Sequence, residues 1–353
     1  MQKRKILFLG ESYRADAITW MNGLKEFGDF DIITWELQTP NLQKTKRIYE
    51  FCTALFAIKK IVQKENPDMV IAERTTSYGF LAAYSGAKII AVAQQGRTDL
   101  WPENSILLPF KKYIQKKAFQ KATLIHAWGP VMAESMQKIG VDINKVLVLP
   151  KGINLDTFTP IEKKFQFITA IVTRSLQPEY NHETILNAFG ILHQKGIYFS
   201  LLIVGDGNQL KKLKNKVHDL QIDKKVTFTG RIANTELPQL LQKSNIYLSM
   251  PVTEGVSASL FEAMACNCYP IVSEIPGNQS WISHQKNGHL IPTNEAQKLA
   301  DALLWTIQNP DLCEQAISEN LKMIENKANY AINMKYIATK YHELIEANSS
   351  KTN

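Results

Sequence analysis

The stretch Ile246-Tyr-Leu-Ser-Met-Pro-Val-Thr-Glu254-Gly-Val-Ser-Ala-Ser-Leu-Phe-Glu262-Ala-Met-Ala265 passes from an apolar run, through a short loop with Pro251 and Gly255, into a helix-forming segment. Ile246–Met250 reads as a buried strand and the helix starts near Ser257, the residue type that caps helices. A helix beginning just past a strand presents free amides to an anion, most of all a phosphate. Glu254 precedes that helix end, and Glu262 lies about one and a half turns into the helix. Two acceptor carboxylates flanking a phosphate-binding helix end suit a ligand that is anionic in the middle and rich in hydroxyls at both ends, such as a nucleotide sugar. Taken alone, the same residues also suit a plain N-cap at Ser257 and a surface acid favoured by the helix dipole at Glu262.

Working outward, the same alternation fills the chain. Short apolar runs occur at Ile6–Leu9, Asp31–Trp35, Met69–Ala72, Ile89–Ala93, Thr123–Ala127 and Val146–Leu149. Six more follow at Phe167–Val172, Phe199–Val204, Val226–Thr229, Ile246–Met250, Tyr269–Val272 and His289–Ile291. Helix-length segments separate them, the pattern of parallel sheets covered by helices on both faces. The fold class expected is α/β, with two doubly wound, Rossmann-like parallel-sheet domains facing across a cleft. The linker Pro150–Pro160 divides a first domain, 1–155 with the C-terminal helix of about 335–353, from a second domain, 156–334. Residues 294–309 and 311–346 read as the last two helices, the final one crossing back to the first domain. In such sheets ligands bind outside the carboxyl ends of the strands.

The chain has 353 residues, 45% apolar and 21% charged, which excludes a disordered or low-complexity protein. Its net charge of +8 is unevenly spread: residues 1–160 hold 22 basic and 15 acidic residues, net +7, and residues 161–353 hold 19 and 18, net +1. Four cysteines form no disulfide framework, and Cys266-x-Cys268 is one residue short of the usual metal or redox pair. The seven histidines show no metal-ligand spacing, so the expected chemistry is metal-independent. Gly205-Asp-Gly207 lacks the third glycine of a dinucleotide fingerprint. The N-terminal apolar run stops at Glu11, so export is not expected; nor is nucleic-acid binding, since no aromatic interleaving accompanies the basic residues.

Around Glu254–Ala265 stand Phe228-Thr-Gly230-Arg231, Asn187-Ala-Phe189, Ile203-Val-Gly-Asp-Gly207, Pro276-Gly-Asn278, Asn287-Gly288 and Lys151-Gly-Ile-Asn-Leu-Asp-Thr-Phe158. With them the chain resembles, over nearly its whole length, the family 4 retaining glycosyltransferases of the GT-B architecture. The resemblance implies that Glu254 contacts donor-sugar hydroxyls, Glu262 accepts hydrogen bonds from the ribose, and the amides of Gly255, Val256, Ser257, Ala258 and Ser259 hold the distal phosphate. Arg174 matches the diphosphate-binding arginine; with Glu254 it forms the expected catalytic pair. Gly230 and Arg231 fall at the turn near the base.

This chain has Tyr180 and Asn181 where the family commonly has a Lys-Gly pair, Ala93–Asp99 without the frequent histidine, and Ser280 in place of a glutamate. The implied co-substrate is a nucleotide sugar, UDP ahead of GDP, with no further cofactor and no metal. The implied acceptor is a glycan or lipid-linked sugar in cell-surface polysaccharide or glycoconjugate assembly; the alternative is a catalytically inactive nucleotide-sugar-binding protein.

Acceptor-binding candidates at strand ends are Arg14, Arg97, Asp99 and His126. Phe110–Lys121 reads as a helix with Phe110, Tyr113, Ile114 and Ala118 on one face and Lys111, Lys112, Lys116, Lys117 and Lys121 around it. That face suits either an anionic membrane or the protein's own sheet. The expected location is cytoplasmic, peripheral on the cytoplasmic face of a membrane.

Overall fold

The twelve apolar runs form twelve strands, all parallel, in two six-stranded sheets of the computed structural model, which describes residues 3–38, 44–96, 98–100 and 105–350. In the first sheet the strands are β1 (Lys5–Leu9), β2 (Asp31–Trp35), β3 (Met69–Ala72), β4 (Ile90–Gln94), β5 (Leu124–Ala127) and β6 (Val146–Val148), in the order β2-β1-β3-β4-β5-β6. The second holds β7 (Ile168–Thr173), β8 (Phe199–Val204), β9 (Val226–Gly230), β10 (Ile246–Ser249), β11 (Tyr269–Ser273) and β12 (His289–Ile291), in the order β12-β11-β10-β7-β8-β9. Strands such as Met69–Ala72 are buried at every position, because helices cover both faces and leave no polar side.

The first unit comprises Met1–Lys151 and Tyr330–Asn353. Its described helices are α1 (Ala15–Gly28), α2 (Lys44–Glu65), α3 (Ser77–Ala83), α4 (Leu108–Lys121) and α5 (Pro130–Lys138), with the chain's last helix, α13 (Tyr330–Ser349), packed on α1. The second unit, Gly152–Asn329, carries α6 (His182–Gln194), α7 (Leu210–Asp219), α8 (Leu237–Lys243), α9 (Ala258–Ala265), α10 (Pro276–Gln279), α11 (Ala296–Gln308) and α12 (Pro310–Lys327). Along β10, Ile246 and Leu248 enter one core layer with Phe189, Phe199 and Tyr269, while Tyr247 enters the opposite layer with Phe261, Met264 and Trp281. That is the two-residue period of a strand feeding two cores.

The helical segment expected over 311–346 is interrupted. Ala328 and Asn329 leave the helix because the Ile153 amide donates to the Ala328 carbonyl at 2.9 Å, and Ile153 pairs as a parallel bridge with Asn329. The same bond draws Gly152–Leu155 into the second unit. From its first residue α13 is tied to the first: the Tyr330 hydroxyl donates to the Thr19 carbonyl at 3.1 Å and the Asn333 amide to the Pro150 carbonyl at 2.9 Å. The unit boundaries thus fall at 151/152 and 329/330.

Candidate functional site

Arg174 follows the last residue of β7, and Ser249 ends β10, its neighbour in the sheet. This adjacency brings together side chains about 80 positions apart. Arg174 Nη2 donates to Glu254 Oε2 at 2.5 Å and also to Ser257 Oγ, and Nε donates to Ser249 Oγ at 3.2 Å. The Tyr180 ring centroid lies 5.3 Å from the guanidinium carbon. Burial opposes the charge on Arg174, but the Glu254 carboxylate and the Tyr247 and Tyr180 rings outweigh it and move its pKa further up. Arg174 therefore stays a cation at every accessible pH.

Ser257 has a second task. Its hydroxyl accepts the Leu260 amide at 3.2 Å and caps α9, leaving the amides of Ala258 and Ser259 without carbonyl partners inside the helix. A fixed cation thus stands beside the positive end of a helix, an arrangement that binds anions. Glu262 lies on the same helix, half-buried, and burial pushes its carboxyl up to about 7 against the pull of Arg174.

The loop holding Glu254 is braced from behind. A Cβ on Gly277, in α10, would sit 2.5 Å from the Glu254 carbonyl oxygen, so only glycine allows α10 so close to the loop. Ser273 Oγ donates to the Pro251 carbonyl at 2.7 Å, and the Val252 amide to the Glu179 carbonyl at 2.9 Å. Gly205, with φ at 140°, lets its turn close on Arg174, where a Cβ would lie 2.3 Å from the Arg174 carbonyl oxygen. Gly205-Asp-Gly207 is therefore a support for the arginine loop. Sequence reading missed Ser249 and the bracing by Gly205 and Gly277; the glycines standing just after β8 and β11 were the available signal.

The other donor-side candidates are spread around this cluster. Asn181, in a left-handed conformation at the start of α6, donates to Asn294 Oδ1 at 3.0 Å and accepts from the Thr184 hydroxyl at 3.0 Å. Gly230 closes β9 with φ at 70°, and Arg231 after it is exposed.

In the first unit the acceptor candidates do not form one group. Arg14 precedes α1 and pairs with Glu11 at 3.0 Å, Asp16 at 3.5 Å and Glu73 at 3.8 Å. Asp99 knits two loops together: its carboxylate accepts from the Thr75 amide at 2.8 Å, the Thr75 hydroxyl at 2.6 Å and the Gln95 amide at 3.0 Å. His126, expected at an accessible strand end, is fully enclosed instead. It lies 2.7 Å from the Tyr341 hydroxyl and stacks on Trp128, and burial, aided by the nearby Lys151 charge, pushes its pKa down to about 3. Arg97 lies outside the described residues.

The apolar face expected on α4 divides. Ile114 and Ala118 turn into the core with Gln115 and Phe119, whereas Phe110 and Tyr113 remain exposed. Among the described residues no group of three or more His, Cys, Asp or Glu could hold a metal ion.

Residues 158–323 match the model of the family described as glycosyl transferases group 1, a span that contains Arg174, Glu254 and Glu262. The chain is 24% identical over 241 residues to the putative colanic acid biosynthesis glycosyltransferase WcaL of Escherichia coli K12, covering 66% of this chain and 58% of that one. It is 23% identical over 286 residues to an Escherichia coli UDP-Gal:alpha-D-GlcNAc-diphosphoundecaprenol alpha-1,3-galactosyltransferase, covering 75% of this chain and 73% of that one. The match thus spans roughly half to three quarters of these relatives' length.

Among solved structures, the chain superposes on Anabaena HepE in complex with UDP with a TM-score of 0.78 at 14% identity, covering 97% of this chain and all of that one. A glycosyltransferase from Rickettsia africae gives 0.79 at 16% identity, with 98% and 99% covered. The Arg174–Glu254–Ser257 cluster at the head of α9 therefore lies inside the matched span: residues 158–323 match the model of the glycosyl transferases group 1 family, in a chain of GT-B glycosyltransferase fold.

Proposed function

We propose that this chain transfers a sugar from a nucleoside diphosphate donor, a UDP-sugar ahead of a GDP-sugar, to a glycan or lipid-linked acceptor with retention of configuration. The observation that carries the proposal is the buried guanidinium of Arg174, fixed by Glu254 and Ser257 beside the Ala258 and Ser259 amides at the head of α9. A nucleoside diphosphate leaves as an anion and needs no protonating acid; it needs charge stabilisation, which this pairing of cation and helix end supplies. Glu254 is placed to receive hydroxyls of the sugar and Glu262 those of the ribose. Same-face attack, with the departing phosphate oxygen taking the acceptor's proton, accounts for retention without a metal. The UDP in HepE and the UDP-galactose and diphosphoundecaprenol in a relative's name support the choice of donor and acceptor class.

The test is direct. UDP should raise the melting temperature saturably, GDP and ADP less so, and a sugar derivative of the preferred nucleotide should be turned over; the product anomer, read by NMR, should match that of the donor. Failure of all three nucleotides to bind, or binding without transfer or hydrolysis of any sugar donor, would refute the reading.

We also propose that α4 brings the chain to an anionic membrane carrying the acceptor. Ile106 is 93% exposed and Leu107, Phe110 and Tyr113 are about half exposed, next to the lysines at 111, 112, 116, 117 and 121. Among the described residues no helix is long and apolar enough to cross a bilayer, so attachment through α4 would be interfacial. Vesicles with 30 mol% phosphatidylglycerol should sediment the protein at low salt and release it above about 0.3 M salt, where the Debye length falls below about 6 Å. The double variant Phe110→Ser/Tyr113→Ser should remain in the supernatant, and equal sedimentation of variant and wild type would exclude this role for α4.

A further inference from the structure

At the carboxyl end of the first sheet, Glu73 leaves β3 beside the turn after β1. Its side chain is 1% exposed. Oε2 accepts the Glu11 amide at 2.7 Å, in the space that Gly10 leaves by having no side chain. Oε1 is buried with no hydrogen-bond partner, and its nearest charge, Arg14 Nε, lies 3.8 Å away, beyond hydrogen-bonding reach. Lys151 adds a second polar group short of partners: its side chain is 13% exposed, its ammonium sits 4.3 Å from the centroid of the Trp128 ring, and the closest carboxylate oxygen, on Asp16, is 4.0 Å away. An ammonium carries three donors, and among the described residues none of these is used in a hydrogen bond.

We propose that Glu73 and Lys151 form a subsite for the hydroxyls of a neutral sugar, with Arg14 as its movable cover. The choice of ligand rests on the transferase reading; the site itself rests on the geometry. A buried carboxylate oxygen without a donor is costly, and the Lys151 ammonium, partly open to solvent, holds donors free for a ligand. A sugar diol answers both, since one hydroxyl donates to Glu73 Oε1 while its neighbour accepts from Lys151.

The charge count argues against an anionic ligand. Glu11, Asp16 and Glu73 are matched by Arg14, Arg74 and Lys151, and the two arginines are already engaged by Glu11 at 3.0 and 2.7 Å. The excess positive charge of the first half thus lies elsewhere. Burial bears on both groups: it pushes Lys151 down to about 8 against the pull of Asp16 and Glu73, and it pushes the Glu73 carboxyl up against the pull of Arg74 and Arg14. Arg14 is nearly half exposed and makes no hydrogen bond to Glu73 Oε1, so as a cover it would part from Glu73 without breaking one.

The experiment uses the full chain without nucleotide. The methyl glycosides of glucose, galactose, mannose and N-acetylglucosamine, with inorganic phosphate as the anionic comparison, are titrated and followed by saturation-transfer NMR and by the Trp128 indole signal. At least one glycoside should bind saturably, shift Trp128 on the same curve, and bind about fivefold more weakly to Glu73→Gln and to Lys151→Met. The Trp128 shift in wild-type protein keeps the test decisive if a variant fails to fold. Binding of no glycoside, equal binding by folded variants, or binding of phosphate in place of glycosides overturns the subsite. Since nucleotide binding is measured separately, by the melting temperature of the full chain, a failure here is distinguishable from a failure of the donor assignment.

Discussion

Replacing Arg174 by alanine is expected to lower kcat by about 10²–10³-fold, the usual cost of removing one preorganised donor from a developing anion. The side chain is only 11% exposed and is fixed by three oxygens, Glu254 Oε2, Ser257 Oγ and Ser249 Oγ, so it is already oriented before any donor binds. The variant loses that charge and leaves the Glu254 carboxylate, 14% exposed, facing the diphosphate with no cation between them. KM for the donor should therefore rise together with the fall in kcat. Arg174→Lys keeps the charge but cannot bracket Glu254 and both serines at once, and should fall between wild type and alanine. Steady-state kinetics well below the unfolding temperature, with circular dichroism as the control for folding, measure both variants. If Glu254 acts partly by holding Arg174, the double variant with Glu254→Gln will cost less than the sum of the single changes. Near-wild-type turnover of Arg174→Ala would remove it from the mechanism.

The strands were readable because parallel sheets need runs such as Met69–Ala72 that are apolar at every position, and turn residues punctuate them. His126 shows where that reading could have gone further. It lies inside the run Leu124–Ala127, all of which is buried, so the strand pattern itself marks the histidine as a core residue. The break at Ala328–Asn329 had no local signal, since neither proline nor glycine is there; it arises from pairing with Ile153, 176 positions earlier. The candidates Arg174, Glu254 and Ser257 were identifiable individually, because each follows a strand or caps a helix. Their meeting was not. Only the order β11-β10-β7-β8, with β10 beside β7, puts Ser249, Glu254 and Ser257 next to Arg174, and strand order is a long-range property that no window of sequence contains. The same holds for Glu73 and Lys151, which converge from the ends of different strands.

Glu262→Gln should weaken nucleotide binding and at the same time stabilise the free protein. The two effects share one cause. Burial raises the Glu262 carboxyl from its ordinary 4.5 to about 7, and the charge of Arg174 only partly opposes this. When ionised, the carboxylate can accept from both hydroxyls of a ribose; when protonated, it gives up an acceptor site. Nucleotide affinity in wild type should thus fall as pH drops below about 7. At pH 8 the glutamine variant should bind about 10–100-fold more weakly, the worth of hydrogen bonds to a charged group, and its affinity should be nearly flat with pH.

The stability effect has the opposite sense. Between pH 4.5 and about 7 the folded chain holds a proton on Glu262 that the unfolded chain has released, so this group's contribution to stability is fully present below 4.5 and is lost as pH rises through about 7. Glutamine cannot ionise and escapes that loss. The difference in melting temperature, variant minus wild type, should therefore grow in the variant's favour from pH 5 to pH 8 without ligand and reverse when saturating nucleotide is present. A difference independent of pH would mean that Glu262 does not feel its burial, and unchanged affinity at pH 8 that it does not meet the ribose; the predicted crossing of the two curves requires both.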